Sequence, residues 1–158
     1  MKRLLASGRK TAALVAPSIA SEFDDITDYR KFVSMRRALG FDYVHENSFG
    51  VDLIAASYAD LFNKAGGKYY ITANCPAIVK LIEKFHPELV PNLAPLVSPM
   101  IATAKVVKEL HGEEVATVFI GPCIDSKDEA LLYSEGKLVD EVLTFIELRQ
   151  LFNEFDIQ

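Results

Sequence analysis

The sequence predicts an α/β fold, a mainly parallel sheet of about four strands flanked by helices. Three observations lead there. Short apolar, β-prone runs alternate with segments whose apolar residues recur at helical spacing. Glycines and prolines stand at the junctions, where strands end and helices start or stop. With 158 residues and 50% hydrophobic composition, the chain can bury one core at the usual size of a single domain.

Lys10-Thr11-Ala12-Ala13-Leu14-Val15-Ala16 is a largely apolar run ending at Pro17, as expected of a strand covered on both faces. From Asp28 to Leu39, the residues Tyr29, Phe32, Val33, Met35 and Leu39 recur mostly at helical spacings, and Gly40 supplies a C-terminal stop. Phe41-Asp42-Tyr43-Val44-His45 reads as a second strand. A second helix runs from Ser48 or Phe49 to Ala65 and is closed by Gly66-Gly67. Lys68-Tyr69-Tyr70-Ile71-Thr72 reads as a third strand, and Ala77 to Phe85 as a third helix stopped by Pro87.

Pro87, Pro91, Pro95 and Pro99 then break up the chain at four-residue intervals. Ser98 before Pro99 is the pattern of an N-cap followed by proline at the first helical position. The helix runs from Met100 to about Leu110, with Gly112 beyond it. Glu114 to Ile120 is the next strand, and a short one follows near Asp140-Glu141-Val142-Leu143. Thr144 and Glu147 have the spacing of a capping box at the start of the last helix. No repeat or interdomain linker divides residues 1–158, so they read as one α/β unit. The chain stops soon after its last helical face, as a fragment of a longer protein would.

Bulk properties exclude several classes. The net charge of −5 and isoelectric point near 5.2 lack the basic footprint of a nucleic-acid binder. Mean hydropathy is +0.15, yet no apolar run approaches the roughly 20 residues that span a bilayer. Arg9 and Lys10 interrupt Met1 to Ala20, which therefore lacks the form of a secretory signal. Two cysteines with 47 residues between them do not make a secreted disulfide framework. These features predict a cytoplasmic protein with no nucleic-acid or membrane partner.

Cys75 in Ile71-Thr72-Ala73-Asn74-Cys75-Pro76 and Cys123 in Ile120-Gly121-Pro122-Cys123 are the chemical signal of the chain. Each follows a β-prone run and leads into a helical segment. In parallel α/β sheets, ligands bind where strand ends meet helix N-termini, and Pro17-Ser18 falls on that same edge. A helix N-terminus lowers a thiol's pKa and favours it as a metal ligand or nucleophile. Against this stands the ordinary case of an inert, buried cysteine. A disulfide would need the two Cα atoms within about 7 Å, which spacing cannot decide. His45, His86 and His111 share no ligand-like spacing with either cysteine, so a zinc site is not expected. Asp42 and Asp52 read as surface positions. Lys127 either places a cation over the cysteine pocket or is a solvated surface lysine.

The run Thr72-Ala73-Asn74-Cys75-Pro76, followed by Glu83-Lys84-Phe85-His86-Pro87-Glu88-Leu89 and Ser98-Pro99, resembles the large subunit of the iron-only ([FeFe]) hydrogenases. There the pattern is TSCCPxW, then EKFYPEL, then KSP. Gly121-Pro122-Cys123 with Lys127 and Glu129 is similar to that family's MPCxxKKxE motif. Val15-Ala16-Pro17-Ser18, Leu39-Gly40-Phe41-Asp42-Tyr43-Val44 and Val139-Asp140-Glu141-Val142-Leu143-Thr144 with Glu147-Leu148 extend the likeness over nearly the whole chain, in order.

The resemblance implies the first of two α/β lobes that hold the H-cluster between them, a [4Fe–4S] cubane joined to a two-iron unit. A cubane takes four cysteines. Cys75 and Cys123 match two of them, and the others belong to a later motif, roughly ACxGGC, that this chain lacks. By the same resemblance Pro17, Ser18, Asn74, Ser98, Gly121, Ser126 and Lys127 would line the cofactor. The implied partners are the second lobe, a ferredoxin-like cluster domain or other electron carrier, and a signalling domain.

Departures from the pattern weigh against the family's ferredoxin hydrogenase activity. The proton-passing thiol before the first ligand is Asn74. The family's paired glutamates fall near Ser57 and Tyr58, the methionine of MPC is Gly121, and the cyanide-holding lysine is Ser126. Proton relays need groups that ionise near working pH. The pattern therefore implies a redox or hydrogen-sensing role, as in divergent sensor-like members, rather than fast hydrogen turnover, and leaves little to hold the two-iron unit. The competing expectation is a non-catalytic α/β interaction module that forms a homodimer through the surface a second lobe would cover.

Overall fold

The structure, a computed structural model, describes residues 1–23, 28–132 and 138–157. Within them lies a four-stranded, all-parallel sheet in the order β2-β1-β3-β4, where β1 is Thr11–Val15, β2 Tyr43–Glu46, β3 Ala116–Gly121 and β4 Glu141–Thr144. β1 and β3 pair from Thr11 opposite Ala116 to Val15 opposite Ile120. Every residue of both is buried, which is why they read as unbroken apolar runs in the sequence. β2 lies at an edge and is only half-buried.

Two aspartates seal the start of this ladder. The Thr11 N–H donates to Asp42 at 2.8 Å and the Thr117 N–H donates to Asp140 at 2.9 Å, so Asp42 has a structural task although it is exposed.

Parallel strands require crossovers, and helices supply them. α1 (Lys2–Leu5) and α2 (Ile19–Glu22) are single turns on either side of β1. α3 (Tyr29–Ala38) is capped by Asp28, whose carboxylate accepts from the Arg30 N–H, and the chain turns at Gly40 with φ +103°. Phe32 on α3 meets Phe23 and Phe152, at centroid separations of 5.0 and 6.4 Å, and ties α3 to α8 (Phe145–Glu154). The side chain of Tyr29, expected on the same apolar face, lies outside the described set.

α6 (Pro99–His111) starts at the Ser98 N-cap with proline in the first turn, as expected, and stops at Gly112 with φ +99°. Met100, Ile101, Ala104 and Val107 are its buried apolar residues, and the helix lies against β1 and β3. Lys108 is buried with them and donates to the carbonyls of Glu113 and Val115, fastening the turn into β3. α8 opens with the expected capping box between Thr144 and Glu147.

α4 (Ser48–Asn63) packs on α6 through Gly50, where a Cβ would stand only 2.5 Å from the Pro99 carbonyl oxygen. α5 (Pro76–Phe85) contacts α7 (Asp125–Leu132) and the 3₁₀ turn Pro87–Asn92.

The strand expected over Lys68–Thr72 does not form. That segment makes a single bridge, Ile71 to Leu93, with Ile71 and Ala94 exchanging bonds at 2.8 and 2.9 Å with Asn92 and Ile71 carbonyls. Its only facing backbone lies between Pro91 and Pro95, which lack N–H donors and cannot extend a ladder. Tyr69 is 87% exposed, so β-propensity here is not rewarded by burial. No helix among the described residues is long and apolar enough to cross a membrane.

Candidate functional site

Cys123 sits where the sequence places it, between the end of β3 and the start of α7. Cys75 does not follow a strand. It is the N-cap of α5 in an extended conformation (φ −116°, ψ 111°), and its carbonyl accepts from the N–H groups of Ile78 and Val79 at 3.1 and 3.2 Å. Both thiols are free and half-buried.

The two helices that begin at these cysteines are bound to each other. Lys80 on α5 donates to Asp125, the first residue of α7, at 3.1 Å and also pairs with Asp128. Both carboxylates raise the Lys80 pKa, with Asp128 the larger influence. Cys123 thus stands two residues, and Cys75 five residues, from a contact shared by α5 and α7.

Tyr58 on α4 fixes the approach to Cys75. Its hydroxyl accepts from the Ala73 N–H at 2.9 Å, two residues before the cysteine. The backbone between a bridge at Ile71 and a tether at Ala73 is therefore held where a strand would otherwise have held it. In the sequence Tyr58 marks only the absence of a glutamate; its hydroxyl's target 15 residues away carries no sequence signal.

A cavity of about 360 Å³ opens beside this junction, lined by Ala73, Pro76, Lys80, Glu83, Ser98 and Glu129 among others. Ser98 is 3% exposed and Glu129 8%. Burial raises the Glu129 carboxyl above its usual range, and a hydrogen bond from the Ser98 hydroxyl opposes that rise. Ser98 serves both this acid and the Ile101 N–H at the α6 cap, the latter at 3.4 Å. Glu129 appears in the sequence only as the last letter of a motif; that it is a buried acid follows from where α7 packs.

The remaining expected site residues divide. Pro17 and Ser18 are exposed just past β1, and because β1 and β3 end side by side they adjoin the Gly121-Pro122-Cys123 turn. Asn74 is exposed beside Cys75, and Ser126 is buried in the first turn of α7. Gly121 has no room for a side chain, since an added Cβ would lie 2.5 Å from Cε1 of Phe119. Lys127 does not line the cavity with Ser98. It is ion-paired with Glu147 at 2.6 Å. Burial raises the Glu147 carboxyl, but bonds from Lys127 and Thr144 outweigh it and leave the pKa lowered.

Comparison with known proteins gives this geometry a family. The model of the iron-only hydrogenase large subunit, C-terminal domain, matches residues 9–158. The chain belongs to that family. It is 28% identical over 150 residues to the cytosolic Fe-S cluster assembly factor NAR1 of Yarrowia lipolytica, covering 84% of this chain and 30% of that protein. It is 29% identical over 142 residues to iron hydrogenase 1 of Clostridium pasteurianum, covering 80% and 25%. Among solved structures, an apo [FeFe]-hydrogenase from Chlamydomonas reinhardtii superimposes with a TM-score of 0.83 at 23% identity, over 99% of this chain and 48% of that one. This last likeness establishes the fold, the four-stranded parallel sheet with its helices. The chain spans under a third of the two curated relatives and about half of the solved chain.

An iron–sulfur cubane fits the donor set by half. Two half-buried thiols at helix N-termini are suitable thiolate donors, but four are required. Among the described residues no group of three or more histidine, cysteine, aspartate or glutamate side chains gathers as a complete metal site.

Proposed function

We propose that this chain is one lobe of an iron–sulfur domain and supplies Cys75 and Cys123 as two of the four thiolates of a [4Fe–4S] cluster. A second lobe of the same protein would supply the other two. The role is redox or hydrogen sensing in the cytoplasm, not fast hydrogen turnover. The carrying observation is the junction itself, two free thiols at the starts of α5 and α7, helices that Lys80 joins through Asp125 and Asp128.

When bound, the cluster supplies one-electron redox chemistry. The chain's own residues would orient and hold it. Tyr58 and the Ile71 bridge fix the loop before Cys75. Pro17, Ser18 and the Gly121-Pro122 turn wall the sheet edge, with the Phe119 ring filling the place of a larger residue at 121. Glu129, its carboxyl raised by burial and hydrogen-bonded by Ser98, is a titratable group in the adjoining cavity. Asn74 cannot exchange a proton near neutral pH, and Lys127 is engaged by Glu147. These features support a cluster held for its potential, with an electron carrier or ferredoxin-like domain as its exchange partner. A relative named as a cluster assembly factor is consistent with a family role outside hydrogen turnover.

Anaerobic reconstitution of the full-length protein with iron and sulfide tests the reading. The expected result is the broad visible absorbance and reduced-state EPR signal of a [4Fe–4S] centre, with Cys75→Ala and Cys123→Ala each lowering cluster content. Wild-type cluster content in either variant, or no cluster at all, sinks it.

A second reading rests on a separate observation. Phe49, Val51, Leu53 and Phe62 of α4 and Ile78, Leu81 and Phe85 of α5 are exposed, and apolar exposure on this scale marks an interaction surface. In that reading the chain is a non-catalytic module that dimerises through exposed apolar residues of this kind. Light scattering of the 158-residue chain distinguishes them: a concentration-dependent dimer favours the module, and a strict monomer removes it.

A further inference from the structure

Two of the three histidines, which share no spacing in the sequence, meet in the fold. His45 on β2 and His111 at the last position of α6 stand with their Nε2 atoms 3.0 Å apart. Their ring centroids are 5.1 Å apart and the planes are inclined by 46°. Both side chains are half-buried, so solvent reaches the pair. Tyr43, two residues before His45, stacks on the His111 ring at 3.8 Å and 13° and holds it flat. Burial, and then the neighbouring His111, lower the His45 pKa, which favours the neutral imidazole. Neutral imidazole is the form that binds metals.

We propose that His45 and His111 form a two-imidazole chelate for a divalent late first-row cation of the Cu(II) or Ni(II) class. Metal–imidazole bonds of about 2.0–2.1 Å to nitrogens 3.0 Å apart enclose roughly 90–95° at the metal. That is the angle between adjacent positions in the tetragonal fields these ions prefer. Tetrahedral zinc would need the nitrogens roughly 0.3 Å further apart. In the metal-free pair one Nε2 donates and the other accepts. On binding, the donating ring loses its Nε2 proton and takes one from water at Nδ1, a change of tautomer that releases no net proton. Because no third protein donor gathers there among the described residues, water fills the other positions. Lys10 donates from Nζ to the hydroxyl of the stacked Tyr43 at 3.4 Å.

The pair lies at the opposite end of α6 from Ser98. Thirteen residues at 1.5 Å each put roughly 20 Å between the two ends. The site is therefore separate from the cysteine junction and does not depend on the cluster reading.

The test uses the 158-residue chain carrying Cys75→Ser and Cys123→Ser, so that thiols cannot compete. Copper(II) sulfate alone, and then nickel(II) chloride alone, are titrated at pH 7.5. We expect one Cu(II) per chain by calorimetry, with EPR superhyperfine lines from two imidazole nitrogens. His45→Gln and His111→Gln should each weaken binding by about tenfold or more. Equal affinity in either folded variant, or a spectrum with fewer than two nitrogens, overturns the proposal. Should a variant unfold, histidine ring proton NMR of the intact pair decides. Substoichiometric Ni(II) should broaden His45 and His111 before His86, which is exposed and pairs with Glu88 at 3.4 Å. Broadening of His86 first, or of all three together, overturns the proposal.

Discussion

α6 and α4 lie against each other and are of similar length and apolar content, but they face different environments. α6 turns Met100, Ile101, Ala104 and Val107 into the core over β1 and β3. α4 buries only Gly50 and Ile54 and leaves Phe49, Val51, Leu53 and Phe62 in the open. The difference teaches that this chain contains two kinds of apolar surface, one that folds it and one that folding does not use. The Ser98–Glu129 cavity lies beside the junction of α5 and α7, where Lys80 meets Asp125, and α4 reaches that region through the Tyr58 hydroxyl on the Ala73 N–H.

Substitutions on the two sides should separate sharply. Leu14 in β1 is fully buried, and Leu14→Ala should cost about 2–5 kcal/mol, read by urea denaturation. A loss below that range would mean the sheet centre is looser than its burial indicates. Gly50→Ala inserts a methyl group against the Pro99 carbonyl and Thr103 hydroxyl. Its cost of about 1–3 kcal/mol measures how far α4 belongs to the cooperative unit. If stability is unchanged while α4 amides lose hydrogen-exchange protection, the two sides unfold separately.

These outcomes rest on features of uneven legibility. β1, β3, the Ser98 cap, the Gly112 stop and the Thr144–Glu147 capping box were readable because their signals are local, lying within a strand, a turn or three residues of a helix start. Lys68–Thr72 misled because β-propensity is indifferent to whether a partner strand exists, and here the partner is flanked by prolines. The cysteine motifs were readable as residue types. The Tyr58 tether, the Glu129 burial and the meeting of His45 with His111 were not, since each depends on contacts across 15, 31 and 66 residues that no periodicity encodes.

Around the junction of α5 and α7, smaller effects are expected. Tyr58→Phe removes the acceptor of the Ala73 N–H and should cost about 1 kcal/mol, with faster exchange of that amide as the specific sign. Unchanged Ala73 protection would show that the loop is held by the Ile71 bridge without it. Glu129 gives a pH signature. Its folded pKa is raised from 4.5 by burial, so its contribution to stability is full below pH 4.5 and declines as pH rises through the folded value. Glu129→Gln should flatten that decline in denaturation curves taken between pH 4.5 and neutrality; an unaltered slope would place the carboxyl in solvent. The smallest effect belongs to Phe62, 82% exposed. Phe62→Ser should change stability by under about 0.5 kcal/mol, read by urea denaturation. A large loss of stability would erase the distinction between the two surfaces.

The exposed apolar side chains of α4 also have a calorimetric consequence. Apolar surface that is already hydrated in the folded protein adds nothing to the heat-capacity change of unfolding, which comes from surface newly exposed. This chain should therefore unfold with a heat-capacity increment below the usual value of about 12–15 cal/mol/K per residue, and with a correspondingly flatter stability curve. Binding of whatever covers Phe49, Val51, Leu53 and Phe62 would carry its own negative heat-capacity change. Calorimetry of that association would report how much of the hydrated apolar surface had been withdrawn from water.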